Sequence, residues 1–358
     1  MKIKIAKAKR SRIRTVDFSE LGFGEYFSDH MLSMEYAKGA WSSPRIIPYG
    51  RLVLYPALCA LHYGQMIFEG LKAFRTRTGV CLFRPQRYLE RLNRSARRLC
   101  IPEVDTGALQ DGIVELVRLD QKWVPEKEGC SLYIRPFIFG SGNFLGVKAS
   151  DTYRLLVITS PVGAFYKEGF NPIRLTTPGE YIRAAPGGLG AAKTPANYAA
   201  SLLPAQEAKK KGFTQVLWLD AREHRFIEES GAMNVFFVIG DEVVTAPLSG
   251  TILDGVTRDT VIQLARSWGM KVSERQLPVD ELIEASGKGT LKEAFGTGTA
   301  AVISPIGEIA HGGTLLRINE GRTGPLARKL YDEITSIQCG RKPDPFKWRM
   351  AIEGESRK

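Results

Sequence analysis

Lys193 stands at the end of Gly187-Gly188-Leu189-Gly190-Ala191-Ala192, where small residues crowd a single lysine and let a ligand approach the backbone closely. A lysine with few charges around it can be desolvated, which frees a nucleophilic amine for Schiff-base chemistry. Glu228-Glu229-Ser230-Gly231 joins two strand-like runs and supplies a carboxylate, a residue type that is usually solvated when it stands alone at a turn. Gly255-Val256-Thr257 opens a helix, where backbone N–H groups and the helix dipole favour a phosphate. Gly296-Thr297-Gly298-Thr299-Ala300 is a second turn whose amides can take an anion. Each feature has an ordinary explanation by itself; the lysine, the carboxylate and the cradles need a joint one.

The elements that must position these residues read as mixed α/β. Residues 85–100 have the period of a helix, with Tyr88, Leu89, Leu92 and Ala96 on one stripe and arginines on the other. Residues 153–162 form a buried-type strand, and 197–211 a helix closing on Lys209-Lys210-Lys211 and Gly212, lysines that suit a helix C-terminus. A strand is expected over 213–219, a hairpin over 233–245 turning at Gly240-Asp241, a helix over 257–268, and strand, Gly-rich turn and strand over 294–305. Gly296-Thr297-Gly298 lacks the third glycine of a dinucleotide fingerprint and opens no clear helix. The segment after Pro161-Val162-Gly163 is rich in glycine, proline and aromatic residues, so the expected division is a smaller domain over 1–164, a loop over 165–178 and a larger domain over 179–358 carrying Lys193.

Composition narrows the partners. The chain has 358 residues, 44% hydrophobic and 25% charged, with a net charge of +12. Residues 1–14 hold +7 of that and 341–358 hold +3, which leaves the body near neutral. A charged edge strand or solvated terminus therefore explains the basic arm better than a nucleic-acid surface, and no nucleic-acid partner is expected. No apolar run approaches the roughly 18 residues of a membrane helix, and residues 1–5 lack a hydrophobic leader core, so no membrane partner is expected. Five widely spaced cysteines without a Cys-x-x-Cys pair, and four histidines without ligand spacing, point to a reducing cytoplasm and no structural metal.

An activated lysine, a carboxylate and a phosphate cradle are together what a pyridoxal phosphate enzyme requires. Ordered motifs sharpen this: Asp29-His30-Met31-Leu32, Leu61-His62-Tyr63, Phe68-Glu69-Gly70-Leu71-Lys72-Ala73-Phe74, Phe83-Arg84-Pro85, Leu132-Tyr133-Ile134-Arg135-Pro136, Gln215-Val216-Leu217-Trp218-Leu219, Met233-Asn234 and Phe295-Gly296-Thr297-Gly298-Thr299-Ala300. On these, running from about Phe23 to Gly340, the sequence resembles the branched-chain amino acid aminotransferases, of the group called fold type IV pyridoxal phosphate enzymes. The resemblance implies a two-domain α/β architecture with the cofactor, pyridoxal 5'-phosphate, at the domain interface. It also implies transamination of leucine, isoleucine or valine with 2-oxoglutarate, in a homodimer whose subunits border one another's sites.

Residue by residue, the resemblance implies that Lys193 bonds the cofactor and shuttles a proton between the substrate Cα and the cofactor C4′. Glu229, five residues before Asn234 as the family's carboxylate is, would keep the pyridine nitrogen protonated. Tyr198 would hydrogen-bond the phenolic oxygen, and Arg91, with the backbone of Val256, Thr257 and Thr299, would take the phosphate. Phe23, Tyr63, Phe68, Tyr133 and the loop residue Phe165 match the apolar substrate pocket, Arg135 the arginine for the distal carboxylate of glutamate, and the Ala300 N–H a donor to the α-carboxylate. An apolar pocket with an arginine at its rim can accept a branched and an acidic side chain in turn.

The chain departs from the family at Thr194-Pro195-Ala196, where glycines are usual after the lysine, at Ala232 for threonine, and at Phe165 for a loop tyrosine. Ala301 and Ser304 replace the redox cysteines of mammalian members. Rivals of the same fold are a D-amino acid aminotransferase, an aminodeoxychorismate lyase or a transaminase for an unusual amino acid; from another class, a nucleic-acid-binding protein on an enzyme fold. Tyr63, Phe68-Glu69-Gly70 and Tyr133-x-Arg135 argue against the first two.

Overall fold

A computed structural model of the chain describes residues 3–163 and 170–352. It divides into two compact units. The first takes in the described residues of 1–165, 192–195 and 335–358, and the second those of 166–191 and 196–334. A division in chain order, into 1–164, 165–178 and 179–358, does not contain these two returns, and one of them brings Lys193 to the first unit.

Among its described residues the first unit is built on a ten-stranded sheet. The order runs Lys4–Ile5, Arg45–Pro48, His30–Ala37, Tyr153–Val162, Ser131–Gly140, Leu71–Thr76, Gly79–Phe83 and Arg349–Ile352, with Ala40–Trp41 and Met66–Phe68 paired at its side. The strand expected over 153–162 has those bounds, and Ser131–Gly140 pairs with it antiparallel along its length. The Pro85–Arg98 helix starts with proline at its first turn, where a missing N–H costs nothing. Tyr88, Leu89, Leu92 and Ala96 are all buried, as their spacing requires, each large apolar side chain contributing about 1.5–3 kcal/mol. Arg91 is buried with them, so the arginine face is not polar throughout. In the Thr106–Leu119 helix the Asp105 side chain accepts the Ala108 N–H at 3.0 Å, and Leu109, Ile113, Leu116 and Val117 turn inward.

The basic arm is held on this unit by one buried cluster. Lys4–Ile5 pairs in parallel with Arg45–Pro48 as an edge strand. The Ala8 N–H donates to His30 Nε2 at 2.8 Å, so the ring proton sits on Nδ1, which donates to Asp120 Oδ1 at 2.6 Å. Asp29 accepts from the Ser11 hydroxyl at 2.5 Å, the Arg12 N–H at 2.8 Å and Trp123 Nε1 at 3.0 Å. Burial alone would raise the Asp29 carboxyl, but these donors and the Arg12 charge outweigh it and hold it below its ordinary 3.8. A depressed carboxyl stabilises the fold above its unfolded value and loses that contribution as pH falls through the folded one. Asp29→Ala is therefore expected to cost about 2–3 kcal/mol and to free the arm, read as faster amide exchange in residues 4–12. In the wild type the same loosening sets in only below about pH 4.

The second unit is a nine-stranded sheet among its described residues. Ile227–Ser230, Gln215–Leu219, Ile173–Thr176, Val302–His311, Leu291–Gly298 and Met233–Ile239 follow one another, and Met233–Ile239 pairs back onto Ile227–Ser230, closing six strands into a ring. Glu229 faces Asn234 in that closing pair. Leu175, Leu217, Val235, Phe237, Leu282, Ile309 and their neighbours fill a continuous core. The expected hairpin is Met233–Ile239 with Glu242–Thr245, and the expected 257–268 helix is Val256–Ser267. The helix expected over 197–211 is two pieces, Pro195–Ala200 and Leu202–Lys210. Pro204 supplies the reason: it has no N–H for the carbonyl four residues back, and its ring crowds that carbonyl.

Candidate active site

In the first unit Lys193 lies in a short irregular stretch fixed at its backbone. Its N–H donates to Ser95 Oγ on the Pro85–Arg98 helix at 2.9 Å, and its carbonyl accepts the Phe68 N–H at 3.0 Å. Thr194, fully buried, donates to the Met66 carbonyl at 2.8 Å, and Pro195 takes the first position of the next helix. The proline thus suits this turn. Lys193 Nζ is 4.9 Å from the centre of the Phe68 ring.

Around Phe68 the structure gathers four of the expected substrate residues. Arg135 lies over both the Phe68 and Tyr133 rings, at 4.6 and 5.2 Å, and donates to the Tyr133 hydroxyl at 2.9 Å. Tyr133 and Arg135 share a face of the Ser131–Gly140 strand because they are two residues apart. Phe23 meets the Tyr133 ring edge-on at 5.0 Å. The result is an apolar wall with a guanidinium on it, whose Nε has no hydrogen-bond partner among the described residues. Tyr63 is placed otherwise: it is 44% exposed on the Cys59–Tyr63 helix and donates to the Leu145 carbonyl. Phe165 lies outside the described residues.

Arg91 makes a buried, two-pronged ion pair with Glu69, Nε to Oε1 at 2.7 Å and Nη2 to Oε2 at 2.8 Å, the side chains 4% and 0% exposed. The two-pronged contact gives each buried charge its partner, which offsets the cost of taking both out of water. The sequence shows Glu69 inside a motif and Arg91 on a helix, but nothing in the spacing joins them.

In the second unit Glu229 is held on both oxygens. Oε1 accepts the Leu253 N–H at 2.8 Å and the Asn234 amide at 3.2 Å, and Oε2 faces Arg183 Nε at 2.7 Å. Arg183 also donates to the Thr251 carbonyl at 2.6 Å. These partners favour the ionised form of Glu229 and fix its direction. Arg183, Asn234 and Leu253 carry no expected role in the sequence. Only Asn234 had a signal, its place in Met233-Asn234 five residues after Glu229, and the structure pairs the two across a two-residue turn.

The expected anion cradles are also here. Val256 and Thr257 begin the Val256–Ser267 helix, and its cap, Gly255, offers the first N–H groups no side-chain acceptor. A Cβ at Gly255 would collide with the Asn234 amide oxygen, so glycine is required for this close approach. Thr299 and Ala300 form the turn between Leu291–Gly298 and Val302–His311, half-buried. Beside them the fully buried Thr297 hydroxyl has no hydrogen-bond partner among the described residues. Tyr198 is half-buried on the Pro195–Ala200 helix.

The model of the class IV amino-transferases matches residues 66–309. Branched-chain-amino-acid aminotransferase 2 of Bacillus subtilis (strain 168) is 53% identical over 339 residues, which cover 94% of this chain and 93% of that relative. The chain belongs to the branched-chain aminotransferases of class IV. The fold agrees: the crystal structure of the Escherichia coli branched-chain amino acid aminotransferase matches with a TM-score of 0.77 at 26% identity, covering 91% of this chain and 99% of that one. The T.th. enzyme of the family, solved in complex with N-(5'-phosphopyridoxyl)-L-glutamate, matches with a TM-score of 0.73 at 27% identity, over 93% and 99%. Among the described residues no helix is long and apolar enough to cross a membrane.

Proposed function

We propose that this chain moves the amino group of leucine, isoleucine and valine to 2-oxoglutarate, yielding branched 2-oxo acids and L-glutamate, with pyridoxal 5'-phosphate as its cofactor. The observation that carries the substrate reading is Arg135 laid against Phe68 and Tyr133. The rings accept a branched side chain, and the guanidinium, with Nε still unpaired, accepts the distal carboxylate of 2-oxoglutarate.

The residues present suit the cofactor. Glu229, charged and fixed by Leu253, Asn234 and Arg183, can hold a proton at a pyridine nitrogen. The Val256 and Thr257 amides, the Thr299 turn and the orphaned Thr297 hydroxyl suit a phosphate. When bound, the cofactor supplies an electron sink for the pair left on the substrate Cα. Lys193 anchors it by its amine and moves the proton from the substrate Cα; the Ser95 and Phe68 backbone bonds keep that amine on one arc of positions. Tyr198 directs a hydroxyl to the ring's phenolic oxygen, and Ala300 N–H orients the α-carboxylate. Arg91 supports the phosphate as a fixed positive charge, its remaining donors directed by the Glu69 clamp.

A homodimer is part of the proposal. Val53 and Val147, 94% and 87% exposed, and the exposed Tyr55, Leu61 and Leu145 are large apolar side chains of the kind a subunit interface covers, and Tyr63, bonded to the Leu145 carbonyl, would border the second subunit's pocket there.

A panel of L-amino acids with 2-oxoglutarate tests the reading. Amino transfer from leucine, isoleucine and valine supports it; transfer from D-leucine only, or pyruvate release from aminodeoxychorismate only, overturns it. Arg135→Met is expected to lower kcat/KM for 2-oxoglutarate by about 10²-fold while changing that for leucine only a few-fold, because only the acidic substrate needs the charge.

A further inference from the structure

Glu228 stands next to the cofactor carboxylate and has no part in the chemistry above. Successive strand residues point to opposite faces, so Glu228 and Glu229 leave the Ile227–Ser230 strand in different directions. Glu228 Oε1 accepts from the Thr251 hydroxyl, which is itself bonded to Ser249 at 2.8 Å. Oε2 has no hydrogen-bond partner among the described residues, and the residue is 6% exposed. Thr251 is in turn the residue whose carbonyl takes Arg183, and Leu253, two places on, donates its N–H to Glu229. The backbone of Gly190 rests against Thr251 so closely that a Cβ there would collide with it. One segment, 249–253, is therefore pinned by Glu228 through a side chain and by the Glu229–Arg183 pair through its backbone.

We propose that Glu228 is a positioning residue for the amino-transfer reaction, acting on Glu229 through Thr251 and Arg183. The inference rests on the reading of Glu229 as the partner of the cofactor's ring nitrogen. The charges felt by Glu228 are those of Glu229 on its own strand, Asp220 from the turn after Gln215–Leu219, and Arg183, which already serves Glu229; its neutral partner is Thr251, backed by Ser249. Burial first, then the two like charges, push its carboxyl up to about 7, against the Thr251 hydrogen bond and the Arg183 charge. Near neutrality Glu228 passes from an uncharged acid to an anion competing for the same guanidinium as Glu229. That added negative charge raises the proton affinity of the cationic groups around Glu229.

The experiment follows the visible absorbance of the holoenzyme against pH, in the wild type, Glu228→Gln, Thr251→Val and Glu229→Gln. Glu228→Gln removes the anion at every pH and is expected to lower the midpoint by about one pH unit. Thr251→Val removes the bond that helps Glu228 ionise, and so moves the midpoint in the same direction. Melting of the cofactor-free protein gives a second readout. A carboxyl raised in the fold costs stability as pH rises from its ordinary 4.5 to about 7, so Glu228→Gln should gain melting temperature over the wild type between about pH 5 and 8. Midpoints unmoved in both Glu228→Gln and Thr251→Val, with Glu229→Gln moving it, overturn the inference and leave the Glu229 reading standing. A midpoint unmoved in Glu229→Gln overturns that reading and the inference with it.

Discussion

Lys193→Ala is expected to abolish the visible absorbance band of the holoenzyme and to lower amino transfer by about 10⁴-fold or more. The variant should fold. What holds this turn is the Lys193 N–H on Ser95 Oγ, the Lys193 carbonyl under the Phe68 N–H, and Thr194 on the Met66 carbonyl. Alanine keeps every one of these, and a half-buried lysine side chain contributes little to the core. An absorbance scan and a leucine assay on the same purified sample separate loss of chemistry from loss of structure. A variant that stays yellow and active would remove Lys193 from the reaction.

Glu229 carries the second large effect, and it divides by substitution. Glu229→Ala leaves Arg183, 7% exposed, without its carboxylate, which should cost about 3–5 kcal/mol. Glu229→Gln keeps the volume and an oxygen for the Leu253 and Asn234 donors, so the packing and those two bonds return, but the Arg183 charge stays unpaired and only part of the stability is recovered. The charge does not return, and amino transfer is expected to remain about 10²–10³-fold low. Urea unfolding read beside kcat shows the split: alanine falls furthest in stability, and glutamine falls less in stability while staying low in rate. Equal loss of stability in the two variants would mean that Glu229 is structural first.

Which parts of this were legible in the sequence follows from how far apart the cooperating groups lie. The 85–100 helix reads correctly because its apolar stripe is local, and the hairpin over 233–245 because Gly240-Asp241 marks its turn. Lys193, Glu229 and the Gly255 helix start stand out through their own neighbours. The partners do not. Arg183, in the segment after Ile173–Thr176, pairs with Glu229 from far along the chain, Glu69 and Arg91 are separated by the strands Leu71–Thr76 and Gly79–Phe83, and neither pair has a spacing that would reveal it. Pro204 divides a stretch whose composition reads as one helix. The return of 192–195 and 335–352 to the first unit is invisible to any reading that runs in chain order. The exposure of Tyr63 on its own subunit is likewise not something its motif reveals.

The first sheet has Lys4–Ile5 at one end and Arg349–Ile352 at the other. A growing polypeptide therefore cannot finish this sheet until residue 352 has left the ribosome, whereas the ring of strands within 173–311 is complete earlier. Until then Gly79–Phe83, with four of its five residues buried in the finished fold, waits as an open strand edge. Such an edge is a template for pairing with another chain. Any product that stalls or is clipped before the last strand leaves that edge uncovered, so completing the chain is also what closes its sheet.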